Sequence, residues 1–110
     1  MASKQTYSKS IVWQPGVEGN TAKQLVTSGR ELTVLALKSG AGAAVVSFYD
    51  SNVATTNYAD LKWVLDCSTT DTDSQVFPNP LFFKKGVYAV LDQGVGSNPI
   101  VCLGYIPDQV

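Results

Sequence analysis

The chain has 110 residues, a net charge of −1, no histidine and only 15% charged residues, well below the usual quarter. That length is one domain, able to bury about two-thirds of its unfolded surface without staples. The charge balance leaves no footprint for nucleic acid or an anionic membrane, and without histidine a Cys-His catalytic pair is excluded.

Met1 to Ser10 is polar, carries Lys4 and Lys9, and shows no periodicity. It lacks an apolar core for a secretory signal, and reads as an arm held by a neighbouring subunit rather than by its own fold. The sandwich domain is then expected over residues 11–110. No apolar run approaches membrane-spanning length. Ile11-Val12-Trp13 is a short strand ended by Gln14-Pro15-Gly16, a strong turn signal. Lys23 to Thr27 is a second strand, closed by Ser28-Gly29.

Glu31 to Lys38 mixes helix formers with Thr33-Val34, and the Gly40/Gly42 stop favours a strand. Ala43 to Asp50 is β-branched and aromatic, so the pair reads as a hairpin. Val34 to Gly42 lines up weakly with Tyr88 to Gly96, which fits a domain with two similar halves. Val53 to Tyr58 is an edge strand or a loop. Ala59 to Cys67 is a half-buried strand anchored by Trp63. Ser68 to Ser74 is an exposed loop, and Pro78-Asn79-Pro80 is extended or turned ahead of the short strand Leu81 to Phe83.

Leu81 to Ile106 reads as one hairpin. Lys84-Lys85-Gly86 leads into a strand from Val87 to Leu91, and a Gly-rich turn through Gly94 and Gly96 leads to Pro99 and a last strand, Ile100 to Ile106. Alternation puts Val87, Ala89 and Leu91 on one face and Tyr88 and Val90 on the other. Both faces are largely apolar, so another sheet or another copy is expected to cover each. The sum is all-β: an antiparallel β-sandwich, jelly-roll-like, of about eight short strands with no convincing helix.

Few constellations carry chemistry. Asp66, Asp71 and Asp73, with Ser68, Thr69, Thr70 and Thr72, offer hard oxygen ligands, but the spacing is not that of a calcium loop. Trp13, Trp63, Tyr49, Tyr58 and Tyr105 are candidates for a sugar-stacking platform, and more readily core or interface anchors. Lys84-Lys85 is a solvated turn that blunts an edge. Cys67 and Cys102 lie in apolar strands, without a CxxC spacing, and are expected as free, buried thiols. Asp50, Asp60, Asp66 and Asp92 lie near strand ends, and nothing marks two of them as neighbours for acid–base work. The expectation is therefore no enzyme, no cofactor and no metal.

Phe77-Pro78, Phe83, Lys85-Gly86-Val87-Tyr88, Leu91, Gly94, Gly96 and Ile100-Val101-Cys102-Leu103 form a pattern. It resembles the small all-β virion proteins of tailed bacteriophages. Val45-Val46-Ser47-Phe48-Tyr49-Asp50-Ser51 looks like their central strand and its turn. The resemblance spans roughly the C-terminal two-thirds of the chain. It implies a structural virion component, most concretely a capsid decoration (cement) protein, or else a tail or head-fibre component. It carries over no catalytic residues.

On this reading the protein self-associates, with a trimer expected, and docks on the major capsid protein or other virion proteins, with neither nucleic acid nor membrane as partner. It is located in the virion, assembled in the host cytoplasm. The expected interface is Tyr7, Ile11, Trp13, Tyr88, Val101, Leu103 and Tyr105. A reading from a different class is a carbohydrate-binding β-sandwich that uses exposed Trp or Tyr.

Overall fold

The computed structural model describes residues 9–67, 72–94 and 98–107. Eight strands are laid down in order: β1 (Lys9–Trp13), β2 (Ala22–Val26), β3 (Arg30–Lys38), β4 (Ala44–Asp50), β5 (Leu61–Cys67), β6 (Thr72–Phe83), β7 (Val87–Gln93) and β8 (Ile100–Ile106). They form two four-stranded antiparallel sheets. The first has the order β1-β8-β3-β6 and the second β2-β7-β4-β5. Strand 1 pairs with 8, 2 with 7, 3 with 6 and 4 with 5, which is the order of one long hairpin rolled into two layers. Consecutive strands lie side by side only at β4 and β5.

The all-β sandwich expected from the alternation is what forms, but both expected hairpins are corrected. β7 lies in the second sheet and β8 in the first, and β3 and β4 are likewise in opposite sheets. The same glycine-rich chemistry that closes a hairpin also lets a chain cross between layers. The weak repeat between Val34–Gly42 and Tyr88–Gly96 falls at two of the six connections that change sheet. The crossing also explains the apolar double face. Val87, Ala89 and Leu91 of β7 are buried, as are Val101 and Leu103 of β8, and the two rows belong to one core between the sheets.

That core includes Trp13, Leu32, Leu35, Leu37, Val46, Phe48, Leu65 and Phe83, all essentially inaccessible. Burying each such side chain contributes about 1.5–3 kcal/mol. The Trp13 indole N–H, which would otherwise be stranded there, donates to Asn20 Oδ1 at 2.7 Å.

Boundaries differ locally from expectation. Lys9 and Ser10 belong to β1 rather than to an arm, and the rest of the expected arm lies outside the described residues. Pro15–Glu18 forms one helical turn, α1, started by proline at its first position and ended by Gly19 in the left-handed region at φ 75°. Of the two alternatives for Val53 to Tyr58 the loop is what forms, and a 3-10 turn at Tyr58–Asp60 precedes β5. β6 runs continuously through Thr72 to Phe83 where a loop and a separate short strand were expected. It does so because it is an edge strand: the register jumps from Leu32↔Leu81 to Val34↔Val76, so Pro78 and Pro80 sit in a bulge that needs no ladder N–H. Among the described residues no helix is long and apolar enough to cross a membrane.

Candidate docking surface

Strand register fixes what each outward face carries. On the first sheet the inward rows are the core residues named above, and the alternate residues point out. Val12 pairs with Cys102, Cys102 with Ala36, and Ala36 with Ser74, which gives one row across the four strands. The adjacent row is Ser10, Gly104, Val34 and Val76. Beyond it Ile106, Glu31 and Phe82 line up, and at the opposite end Ile100, Lys38 and Thr72 do so.

This outer face is apolar through its middle and open to solvent. Val12 is 50% exposed, Val76 64% and Phe82 53%, three of the most exposed large apolar side chains among the described residues. Around them Ile100, Cys102, Ile106, Val34 and Ala36 are half-buried. Gly104 matters here: a Cβ would meet Val34 Cγ1 at 2.8 Å, so glycine lets Val34 lie across β8 and keeps the face continuous.

The outer face of the second sheet is different. Ser47 and Tyr49 point outward yet are nearly inaccessible. The Ser47 hydroxyl donates to the Asp92 carboxylate. Burial pushes the Tyr49 hydroxyl above its usual range, the negative charge of Asp92 adds to this and Tyr58 contributes, while Ser47 pulls the other way. Gln24, on the same face, directs its amide N–H groups to the carbonyls of Ser51 at 2.7 Å, Val26 at 2.8 Å and Val87 at 3.1 Å. These polar bonds close the face around Gln24, Ser47 and Tyr49, while on the same face Val90 is half-buried and Val64 is exposed.

The expected interface residues are dispersed. Trp13, Val101 and Leu103 are wholly buried in the core, which corrects their assignment to a surface. The inward parity that makes them large and apolar is what removes them from contact with a partner. Ile11 and Tyr105 are half-buried and pack against the same core, and Tyr88 is half-buried on the other sheet. The Arg30 guanidinium stands 5.7 Å above the Tyr105 ring. Tyr7 lies outside the described residues. The surface set Val12, Ala36, Val76, Phe82 and Cys102 escaped the sequence reading. Its signal was available only as the opposite parity to Trp13, Val101 and Leu103.

The other candidates resolve simply. Trp63 packs edge-on against Phe77, with centroids 5.0 Å apart. Tyr49 and Trp13 are buried, and Tyr58 alone of the five aromatics stands well into solvent, at 82%. Tyr49 and Tyr58 lie close enough to interact, on the outer face that also carries Tyr88, while Trp13 is in the core and Tyr105 is on the other sheet. Asp66 donates its backbone N–H to the Asp73 carboxylate at 2.9 Å, while Asp71 and Ser68 to Thr70 lie outside the described residues. Among the described residues no three His, Cys, Asp or Glu side chains converge as metal ligands do. Cys67 is a buried free thiol on the inner face of the second sheet, donating to the Leu37 carbonyl at 3.4 Å. Cys102 is free too, but only half-buried on the outer face of the first sheet, which corrects its expected full burial. Its partial burial pushes the thiol above the usual range.

Comparison with family models, with curated proteins and with solved structures finds no match.

Proposed function

We infer that this chain is a structural docking protein of a virion, and in concrete form a capsid decoration (cement) protein of a tailed phage. The observation that carries the reading is the open apolar outer face of the first sheet, with Val12, Val76 and Phe82 exposed around a half-buried middle. Contiguous apolar surface on a small soluble domain marks an interaction site. The sparse charge agrees, since charged residues are depleted from interface centres. The rolled-up strand order is read here as a jelly roll, an architecture that serves capsid and lectin domains alike.

The phage likeness of Phe77 to Tyr105 adds to this. Its strands fold into two sheets, so it rests on the strand sequences and not on a hairpin. In this reading the chain self-associates, the N-terminal arm lies across a neighbour, and the major capsid protein or another virion protein is the larger surface. Assembly takes place in the host cytoplasm. A tail or head-fibre position would use the same face.

The carbohydrate-binding alternative needs several exposed aromatics, and of Trp13, Trp63, Tyr49, Tyr58 and Tyr105 only Tyr58 stands well into solvent. The test is addition of the purified chain to a tailed-phage head lacking its decoration protein, beside a glycan array. Saturable addition supports the reading, and more so if removal of Met1 to Ser8, which leaves β1 whole, weakens it. Binding to glycans with no affinity for any head surface would transfer the case to the alternative.

A further inference from the structure

We propose that the outer face of the first sheet pairs with the same face of a second copy, about a two-fold axis lying between the sheets and perpendicular to their strands. The proposal rests on the docking reading above and names the partner of that face.

Charge gives the first argument. Among the described residues this face carries two charged positions, Glu31 and Lys38, at opposite ends of β3 with Val34 and Ala36 between them. At a rise of about 3.3 Å per residue they stand roughly 23 Å apart. A two-fold contact is isologous: what residue i meets on the partner, its partner copy meets in return. An axis across the strands reverses each strand over its own copy. Glu31 of either chain then lies over Lys38 of the other, twice. An axis along the strands, centred on the sheet, would instead lay β3 over β8 and leave Glu31 over Ile106 and Lys38 over Ile100, without a charge partner.

Side-chain size gives the second argument, independent of charge. The same operation lays the row Ser10, Gly104, Val34, Val76 over the row Val12, Cys102, Ala36, Ser74. Ser10 meets Val12, Val34 meets Ala36, and Val76 meets Ser74, while Cys102 lies over Gly104, which is buried beneath its own chain's Val34. Every position sets a larger side chain over a smaller one, the alternation that lets two layers interdigitate. At the two ends Phe82 lies over Thr72, and Ile106 over Ile100. The rows are thus complementary to each other under one rotation, within the roughly 30° that sheet twist adds to aligned packing. The result is a dimer, in place of the trimer expected from sequence.

The test is sedimentation equilibrium of the full chain from about 1 μM to about 1 mM, the range of ordinary dissociation constants for transient pairs. The expected result is a monomer–dimer equilibrium. E31K and K38E should each raise the dissociation constant about tenfold, by turning two attractive pairs into two repulsive ones, and the double variant should return to within about threefold of the parent. Alkylation of Cys102 in the native chain should slow as protein concentration rises, because the second copy covers the outer face on which Cys102 lies.

A monomer throughout, or a dimer in which the double variant is no better than the singles, overturns the proposal. If the chain is monomeric yet V76D abolishes addition to a phage head, the self-pairing fails and the docking reading stands. If the charge swap rescues the dimer and no head surface binds, the pairing stands and the virion reading fails.

Discussion

The carboxylate of Asp50 accepts the backbone N–H of Lys85 at 2.7 Å, and its other oxygen accepts that of Lys84 at 3.0 Å. One side chain at the end of β4 therefore holds the turn that carries the chain from β6 in the first sheet to β7 in the second. The two lysines look like a solvated charge pair in the sequence. Their backbone is what the fold uses.

Asp50→Ala should accordingly lower unfolding stability by about 1–3 kcal/mol, the range for charge-assisted bonds to backbone N–H groups. Asp50→Asn, which keeps one acceptor oxygen, should lose less. Urea denaturation checks both, and an alanine variant within a few tenths of a kcal/mol of the parent would show that the turn holds without it.

Gly86 follows in the same turn at φ 153°, and a Cβ there would meet the Val26 carbonyl at 2.5 Å and the Ser51 carbonyl at 2.9 Å. These are two of the carbonyls that Gln24 also binds. Gly86→Ala should therefore cost about 2 kcal/mol or more, since backbone rather than a pliable side chain must move. A thermal shift below about 5 °C for a domain of this size would contradict it.

Much of this architecture is legible in the residues. Alternation finds the strands at β1, β4, β7 and β8, and Thr33-Val34 tips β3 away from helix. What does not show is which strands share a sheet. Ser39 to Ala43 and the segment around Gly94 carry turn chemistry that serves a hairpin and a layer crossing equally, so local sequence cannot separate them. The docking face was hidden for a related reason. Trp13, Val101 and Leu103 are the conspicuous residues, and they are conspicuous because they build the core. Val12, Cys102 and Ala36 are their modest neighbours of opposite parity, and only the register joins them to Val76 and Phe82.

The two thiols should separate cleanly. In native protein Cys102 should react with an alkylating agent, more slowly than an exposed thiol because its raised pKa leaves less thiolate at neutral pH. Cys67 should react only in denaturant. Mass spectrometry after native and denatured labelling reads both, and a Cys67 that labels first would place the core wrongly.

Tyr49 gives a dependence on alkaline pH. Its folded-state pKa lies above the ordinary value of 10.0, so the folded chain holds this proton more tightly than the unfolded chain does. Its contribution is fully present below about pH 10 and is lost as pH rises through the folded value. The parent should therefore lose stability above pH 10 more steeply than Tyr49→Phe. Parallel slopes for the two in denaturant titrations would remove Tyr49 from the account.

The most direct test of the docking face compares two aspartate variants of opposite parity. Phe82→Asp sits on the open outer face, and Val101→Asp sits in the core. The account predicts that Phe82→Asp keeps the parent's circular dichroism spectrum and melting temperature to within a few degrees while its addition to a decoration-free phage head is lost. It predicts that Val101→Asp fails to fold, because burying an unpaired carboxylate costs several kcal/mol against a total of about 5–15. A folded Phe82→Asp variant that binds the head as tightly as the parent would contradict the account.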